Sequence, residues 1–174
     1  MKTWIDLATV DTPPRIAALP RDARGYPVPH TVRYDADGVP DFRVIDPEKW
    51  FRAVKLRRCG ICGETLGARV AFVGGPLAMA NRFFTDLPMH RDCAVYALRV
   101  CPFIAAPKFA YSRSLPEDTQ VSNNVSTTRP DQFGLGVTKA YKPLAMNGEV
   151  VLQAAPFESI EWWRHGVREA YAAA

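Results

Sequence analysis

The chain carries two short cysteine-containing stretches that decide its fold, Cys59-Gly60-Ile61-Cys62 and His90-Arg91-Asp92-Cys93. A Cys-x-x-Cys turn holds two thiolates close together, and its glycines let backbone amides donate to the sulfurs. On a helix, residues three apart lie on one face about 5–6 Å from each other, so the second pair meets the same ion. The two stretches therefore predict one metal site.

The donor set indicates which metal is bound. Three thiolates and one imidazole, with no dedicated carboxylate, favour zinc over magnesium or calcium. Amides at a helix N-terminus also favour the thiolate form of a nearby cysteine. We predict a structural Zn²⁺ ion held by Cys59, Cys62, His90 and Cys93. The competing interpretation is a set of free thiols in a packed core beside a surface histidine.

Cys101 is an alternative fourth ligand, in place of His90. It follows Cys93 by eight residues, which is about 12 Å of axial rise on a continuous helix at 1.5 Å per residue. Two ligands of one tetrahedral ion lie much closer than that, so Cys101 substitutes only if the helix breaks. Otherwise we expect a buried small hydrophobe.

The order of elements around the ligands resembles a treble-clef zinc finger. A cysteine knuckle precedes a strand-rich segment at 68–74, and a predicted helix from His90 to Cys101 supplies the second ligand pair. Zinc in such a site contributes roughly 10–16 kcal/mol of apparent folding free energy. We expect an α+β fold in which this finger is integrated with β-hairpins and a C-terminal helix.

A basic helix is predicted just before the knuckle. Asp46-Pro47-Glu48 is a typical helix start, and the helix is expected to reach Arg58. The cations in and after it form a candidate nucleic-acid contact surface with Trp50 and Phe51 among them: Lys49, Arg52, Lys55, Arg57, Arg58 and Arg69. The alternative is a helix that buries its aromatic side chains and leaves its cations in water.

The rest of the chain divides into four segments. Prolines in residues 1–29 predict an extended N-terminal arm. Residues 30–111 contain a β-hairpin at 30–45, the basic helix and the finger. Residues 112–132 are polar and turn-rich, typical of a surface loop. In 133–174, strands at 133–141 and 149–154 are expected to pair, followed by a docked helix at 156–171.

Composition limits the class of protein. The chain of 174 residues, 48% of them hydrophobic, is long enough for one domain with a core. A net charge of +4 permits an anionic partner without requiring one. The first residues do not form a secretion signal, and no apolar run is long enough to span a membrane. We expect a cytoplasmic protein without a membrane partner.

The sequence argues against catalysis. A closed Cys₃His shell has no position for water, which is typical of structural zinc. The His-x-Glu motif of zinc deaminases is absent, and an HNH-like nuclease needs more histidines than His30 and His165 supply beside the finger. His165 lies four residues from both Glu161 and Glu169 on the predicted helix, which indicates surface ion pairing.

Several motifs resemble those of a group of uncharacterised small bacterial and phage proteins. They are PRDARGYPVP, PDFRVIDPEK, RRCGICGETLG, HRDCAVYALRVCPF and EWWRHG. The resemblance spans residues 14–166 and implies that the arm, the finger and the last helix belong to one unit, which favours a single integrated domain. It implies no activity.

The expected function is non-catalytic binding. We expect a zinc-stabilised adaptor or inhibitor of phage or mobile-element type that contacts a protein partner through Trp4, Trp162, the arm and the loop at 112–132. The alternative is a nucleic-acid-binding zinc finger that uses the helix at 47–58, and a third, weaker hypothesis is an HNH-like nuclease. The oligomeric state does not follow from the sequence.

Overall fold

The computed structural model describes residues 4–107 and 128–170, together with Glu117, Thr119 and Ser122. Helices and antiparallel sheets are mixed in it, which confirms the α+β class. A short 3₁₀ turn precedes five α-helices, which are α1 (Pro14–Ala17), α2 (Pro47–Lys55), α3 (Pro76–Asn81), α4 (Arg91–Val100) and α5 (Pro102–Ala105). The loop predicted at 112–132 lies mostly outside the described residues.

The strands form three antiparallel sheets. They are β1 (Val32–Tyr34), β2 (Pro40–Ile45), β3 (Val70–Gly74), β4 (Phe83–Phe84), β5 (Phe133–Thr138), β6 (Tyr141–Met146), β7 (Glu149–Ala154), β8 (Ser159–Arg164) and β9 (Val167–Arg168). The sheet orders are β1-β2, β3-β5-β8-β9 and β4-β7-β6. Among the described residues, no helix is long and apolar enough to cross a lipid bilayer.

Strand β5 is the centre of the largest sheet, and all six of its residues are buried. It has no polar face because other elements cover both sides of it. Two glycines make this packing possible: a Cβ at Gly134 would lie 2.6 Å from Cγ of Met79, and one at Gly136 would lie 2.5 Å from Cε1 of Phe157. Helix α3 and the β7–β8 connection therefore sit directly on the strand backbone.

The predicted C-terminal helix is wrong. Its segment forms β8 and β9, joined by a tight turn at His165 and Gly166. Strand β8 pairs with β5 from Phe133, opposite Trp163, to Val137, opposite Ser159. The open edge of β5 offers backbone hydrogen bonds to a segment rich in β-branched and aromatic residues, and this pairing prevails over the helical spacing of its apolar residues.

The predicted pairing of 133–141 with 149–154 is also wrong. The strand run starting at Phe133 ends at Thr138, and Tyr141 starts a new strand in another sheet. Strand β7 pairs with β6 through a turn at Asn147 and Gly148. The side chain of Thr138 explains the break, because its hydroxyl donates to carbonyl oxygens of the chain that turns back beside it.

The segment before the knuckle agrees closely with the prediction. Strands β1 and β2 form the expected hairpin, and α2 begins at Pro47 with the Asp46 side chain capping the amide of Lys49. The helix ends at Lys55 rather than at Arg58. Arg57 then has a φ of 50°, so the backbone leaves the helical conformation before the first cysteine.

The N-terminal segment packs onto the body. Helix α1 inserts Ile16, which is completely buried, and Tyr26 and Val28 are also buried. A single bridge between Arg21 and Pro27 and the short turns at 7–9 and 14–17 are its regular structure. The prolines account for this scarcity because they lack amide donors.

Candidate metal centre

The first ligand pair lies on a tight knuckle between α2 and β3. The amide of Cys59 donates to the carbonyl of Glu64 at 2.8 Å, and the amide of Gly63 donates to the carbonyl of Cys59 at 2.9 Å. Gly63 has a φ of 75°, a conformation that favours glycine. These bonds fold the Cys-x-x-Cys turn back on itself, so both sulfurs face the same side.

The second ligand pair is fixed to the knuckle by backbone bonds. Ala71 of β3 and Met89 exchange two hydrogen bonds, of 2.8 and 2.9 Å. The amide of Gly60 donates to the carbonyl of Pro88 at 3.0 Å, and a Cβ on this glycine would lie 2.7 Å from Cβ of Leu87. These bonds place His90 next to the knuckle, and helix α4 begins at the following residue, Arg91.

The four predicted ligands come together. One donor atom from each of Cys59, Cys62, His90 and Cys93 lies within 4.8 Å of every other. Cys62 Sγ is 3.4 Å from His90 Nδ1, close to the spacing of about 3.6 Å in a tetrahedral site with metal distances near 2.3 Å for sulfur and 2.1 Å for nitrogen. All four cysteines are free thiols.

The imidazole of His90 is oriented for coordination through Nδ1. Its Nε2 lies 3.1 Å from the carbonyl oxygen of Thr65. A carbonyl oxygen only accepts, so Nε2 carries the proton and Nδ1 presents its lone pair towards Cys62. This bond to the backbone is the usual outer partner of a metal-bound histidine, and it fixes the ring.

Backbone amides surround the sulfurs. The amides of Cys62 and His90 donate to Cys59, and the amide of Glu64 donates to Cys62. Such N–H···S bonds spread the negative charge of a thiolate without adding a proton to it. Cys59 and Cys93 are fully buried, so these donors replace the water that would otherwise stabilise the charge.

Hydrogen bonds among the three cysteines shift their pKa values. Hydrogen bonds from Cys62 and Cys93 lower the pKa of Cys59, and the bond to Cys59 raises the pKa of Cys62 to about 11. The pKa of Cys93 is raised as well, first by its hydrogen bond to Cys59. Without a cation the cluster therefore carries about one negative charge, because three adjacent buried thiolates repel each other. A divalent ion removes this repulsion.

An arginine of the N-terminal segment lies beside the cluster. Arg15 of α1 lies 3.3 Å from the carboxylate of Asp92 and 3.9 Å from that of Glu64. Burial lowers the pKa of Arg15, but its electrostatic interactions, first with Asp92 and then with the cysteine cluster and Glu64, outweigh this effect and raise the pKa. The arginine is thus a permanent cation beside the ligand sulfurs.

Cys101 does not belong to the cluster. It caps the C-terminus of α4, which runs unbroken from Arg91 to Val100, and no helix break brings it back to Cys93. Burial raises the pKa of its thiol. Its role as an alternative to His90 is therefore wrong.

The six cations proposed for nucleic-acid contact differ in their surroundings. Lys49 donates to the carbonyl of Val32 at 2.9 Å, and Arg58 donates to that of Gly63 at 3.0 Å. Arg69 pairs with Glu158, and Arg57 lies over the ring of Tyr141. Arg52 and Lys55 are exposed. Trp50 is buried, whereas Phe51 is 55% exposed.

The other two histidines lie apart from the ligand set. The ring of His30 packs on Gly63, where a Cβ would come within 2.6 Å of its Cγ. Partial burial lowers the pKa of His30, as do the charges of Lys49, Arg58 and Arg52. His165 is in the β8–β9 turn, so the predicted helical pairing with Glu161 and Glu169 is wrong.

Two residues of the centre were not predictable from the sequence. Thr65 contributes a backbone carbonyl, which any residue supplies, so no side-chain signal marks it. Arg15 is distant in sequence from every ligand, and only the docking of α1 brings it to Asp92. Comparisons with protein-family models, with curated proteins and with solved structures found no match.

Proposed function

We propose that the protein is a zinc-stabilised, non-catalytic binding protein, an adaptor or inhibitor of the phage or mobile-element type. Zn²⁺ bound by Cys59, Cys62, His90 and Cys93 organises the fold. The closed ligand set supports this: four donors lie within 4.8 Å of one another, and His90 is fixed by Thr65. Four protein ligands complete a tetrahedral shell and leave no position for a substrate.

The treble-clef assignment belongs to the same proposal. The knuckle, β3, the backbone pairing of Ala71 with Met89 and helix α4 follow the order expected of such a finger. The long excursion through α3 and β4 is inserted between β3 and Met89. In this arrangement the ion joins the knuckle to the helix, and its role is structural.

Cobalt substitution tests the closed shell. Co²⁺ in a tetrahedral site with three sulfurs and one nitrogen absorbs strongly in the visible range. We expect one ion per chain and a spectrum that azide and imidazole leave unchanged. A spectrum that shifts with these ligands would reveal an open coordination position and contradict the non-catalytic proposal. Folded protein that binds no metal would contradict the zinc proposal itself.

An apolar surface on the β1–β2 hairpin and α2 is the proposed contact with a protein partner. Six of the ten strongly exposed large hydrophobic residues in the described part of the chain fall within residues 34–56. The six are Tyr34, Val39, Phe42, Ile45, Phe51 and Leu56. Contiguous exposed apolar patches mark interaction sites, and we propose that these residues form one. The hairpin is a separate two-stranded sheet, and such a hairpin needs packing to be stable.

The charges on α2 indicate what kind of partner fits. Arg52 and Lys55 are exposed next to Phe51 and Leu56, and their side chains have no ion-pair partner among the described residues. A protein surface that combines apolar and acidic side chains complements this arrangement. We therefore propose an acidic, partly apolar protein surface as the occupant.

Site-specific photocrosslinking tests this contact. A benzophenone side chain at Phe51 is expected to crosslink a protein with an acidic contact surface in cells. The matched control is the same probe at Leu77, which is 73% exposed on α3. Equal crosslinking from both positions, or none from Phe51, would contradict the assignment. Identification of the captured protein then allows direct measurement of the effect of Arg52→Glu.

Nucleic acid is the second candidate partner, because some of the six cations proposed for its contact lie close to one histidine. Besides partial burial, the positive charges of Lys49, Arg58 and Arg52 all lower the pKa of His30, so these cations are near this histidine. If this group contacts phosphates, affinity should fall steeply with salt. Arg52→Glu combined with Lys55→Glu should then abolish binding and leave the zinc content unchanged. Crosslinking of RNA or DNA at Phe51 would favour this candidate over the protein partner.

A further inference from the structure

A cleft of about 460 Å³ lies between the N-terminal segment and the β8–β9 hairpin, away from the metal centre. Ligand sites in proteins commonly have volumes of about 300–1,000 Å³. Two indole rings and three basic side chains line the cleft, namely Trp4, Trp163, Arg99, His165 and Arg168. No carboxylate is among its described lining residues. The cleft therefore combines aromatic surface with positive charge.

The aromatic walls are rigid. Trp4 donates from Nε1 to the carbonyl oxygen of Val100 at 2.9 Å, which fixes the plane of its ring. Trp163 is 4% exposed and belongs to the central sheet, opposite Phe133. A ring that is fixed before binding loses little conformational entropy when a flat ligand stacks on it. Trp4 is the more accessible of the two rings.

The polar groups favour an anion. Arg99 lies over the ring of Trp163, 5.8 Å from its centroid, and has no carboxylate partner among the described residues. Arg168 is partly neutralised by Glu161, 3.3 Å away. The indole N–H of Trp163 is buried and the indole N–H of Trp4 already donates to Val100, so the arginines are the donors open to a ligand. Arginine donors suit a ligand rich in oxygen acceptors.

The hairpin turn places His165 at the cleft. His165 and Gly166 have φ values of 48° and 78°, nearly the same as the 52° and 79° of Asn147 and Gly148 in the β6–β7 turn. Asn-Gly is the favoured pair for this turn, so turn formation alone does not require an imidazole. The histidine adds a third hydrogen-bonding group beside Arg99 and Arg168.

From this combination we infer that the cleft binds a nucleoside phosphate, with the base stacked on Trp4 and the phosphate held by Arg99 and His165. Stacking on fixed aromatic rings beside arginines is how proteins bind nucleotide units without reading their sequence. The ligand is either a free nucleotide or one unit of a single strand. This site is separate from α2 and does not depend on the proposed protein partner.

Two probes distinguish the sources. Full-length zinc-loaded protein is titrated with fluorescein-labelled (dT)12 by anisotropy and with dTMP by tryptophan quenching. Arg99→Gln should weaken binding about tenfold, since it removes a charge-assisted contact to phosphate. His165→Asn should weaken it about threefold, and asparagine keeps the turn because this conformation favours it. Lys142→Gln, which removes an exposed positive charge on β6 in another sheet, is the matched control and should leave affinity within about twofold.

Each result of these titrations either assigns the site or overturns the inference. Binding of both probes with the same dependence on Arg99 assigns a free-nucleotide site, and binding of (dT)12 alone assigns a single-strand site. If neither probe binds at concentrations up to about 1 mM, the inference is overturned. It would also be overturned if Lys142→Gln weakened binding as much as Arg99→Gln. Zinc content and circular dichroism of each variant verify the fold, and His165→Asn retains a test of the cleft should Arg99→Gln misfold.

Discussion

Arg15 and Asp92 form an ion pair, with Nε of the arginine 3.3 Å from Oδ2 of the aspartate. The other carboxylate oxygen of Asp92 accepts from the amide of the ligand Cys93 at 2.9 Å. This chain of contacts joins the N-terminal helix to the metal centre. Ile16, the next residue along the chain, is completely buried in the core. Its packing keeps Arg15 beside Asp92.

Arg15→Gln should accelerate zinc release and lower stability by about 0.5 kcal/mol, the usual range for a partly exposed ion pair. A Cys₃His zinc site has a net charge of −1, which Arg15 partly offsets. The measurement is the rate of zinc transfer to a chromogenic chelator. Arg69→Gln, which breaks the ion pair with Glu158 away from the ligands, is the control. Equal release rates for both variants would show that Arg15 has no special effect on the centre.

Cys59→Ser should abolish stoichiometric zinc binding, because the ion loses one of its two fully buried ligands. The zinc-dependent share of stability is roughly 10–16 kcal/mol, so this variant should be largely unfolded by circular dichroism. Cys101→Ser is the matched control and should retain one zinc ion per chain, since Cys101 lies outside the ligand cluster. Loss of zinc from Cys101→Ser would contradict the ligand assignment.

Zinc affinity should rise with pH. In the ion-free cluster the pKa of Cys62 is about 11 and that of Cys93 is raised, whereas that of Cys59 is lowered. Binding at neutral pH therefore releases about two protons, and the logarithm of the apparent affinity should increase by about two per pH unit. The stability of the zinc-loaded protein should accordingly fall as pH falls. Calorimetry in buffers of different ionisation enthalpy counts the protons, and a value near zero would contradict the prediction.

Gly63→Ala should destabilise the zinc-loaded protein much more than Gly38→Ala. Both glycines have nearly the same φ, 75° and 76°, so both variants acquire the same backbone strain of about 1–2 kcal/mol. A Cβ at Gly38 meets no atom within 4 Å, whereas one at Gly63 lies 2.6 Å from His30 Cγ. The close contact adds about 1–3 kcal/mol. Urea unfolding in excess zinc measures both, and equal losses would show that His30 moves freely aside.

The ligand set was predictable because each pair is local. Cys59 and Cys62 are brought together by their own turn, and His90 and Cys93 by the first turn of one helix. The start of α2 was equally predictable, since Asp46 caps the helix within four residues. The cleft at Trp4 was not predictable, because its walls come from the N-terminal segment, α4 and β8, which are distant in sequence.

The sequence by itself determined the two local Cys/His pairs, the first hairpin and helices α2 and α4, because hydrogen bonds between near neighbours specify them. Only the tertiary structure decided the conformation of residues 159–168. Their apolar spacing fits a helix, yet β5 presents an edge of unpaired amides and carbonyls that β8 satisfies. The edge of β5 is paired with the segment that the fold places beside it. The sequence pattern of residues 159–168 does not show which strand lies next to them.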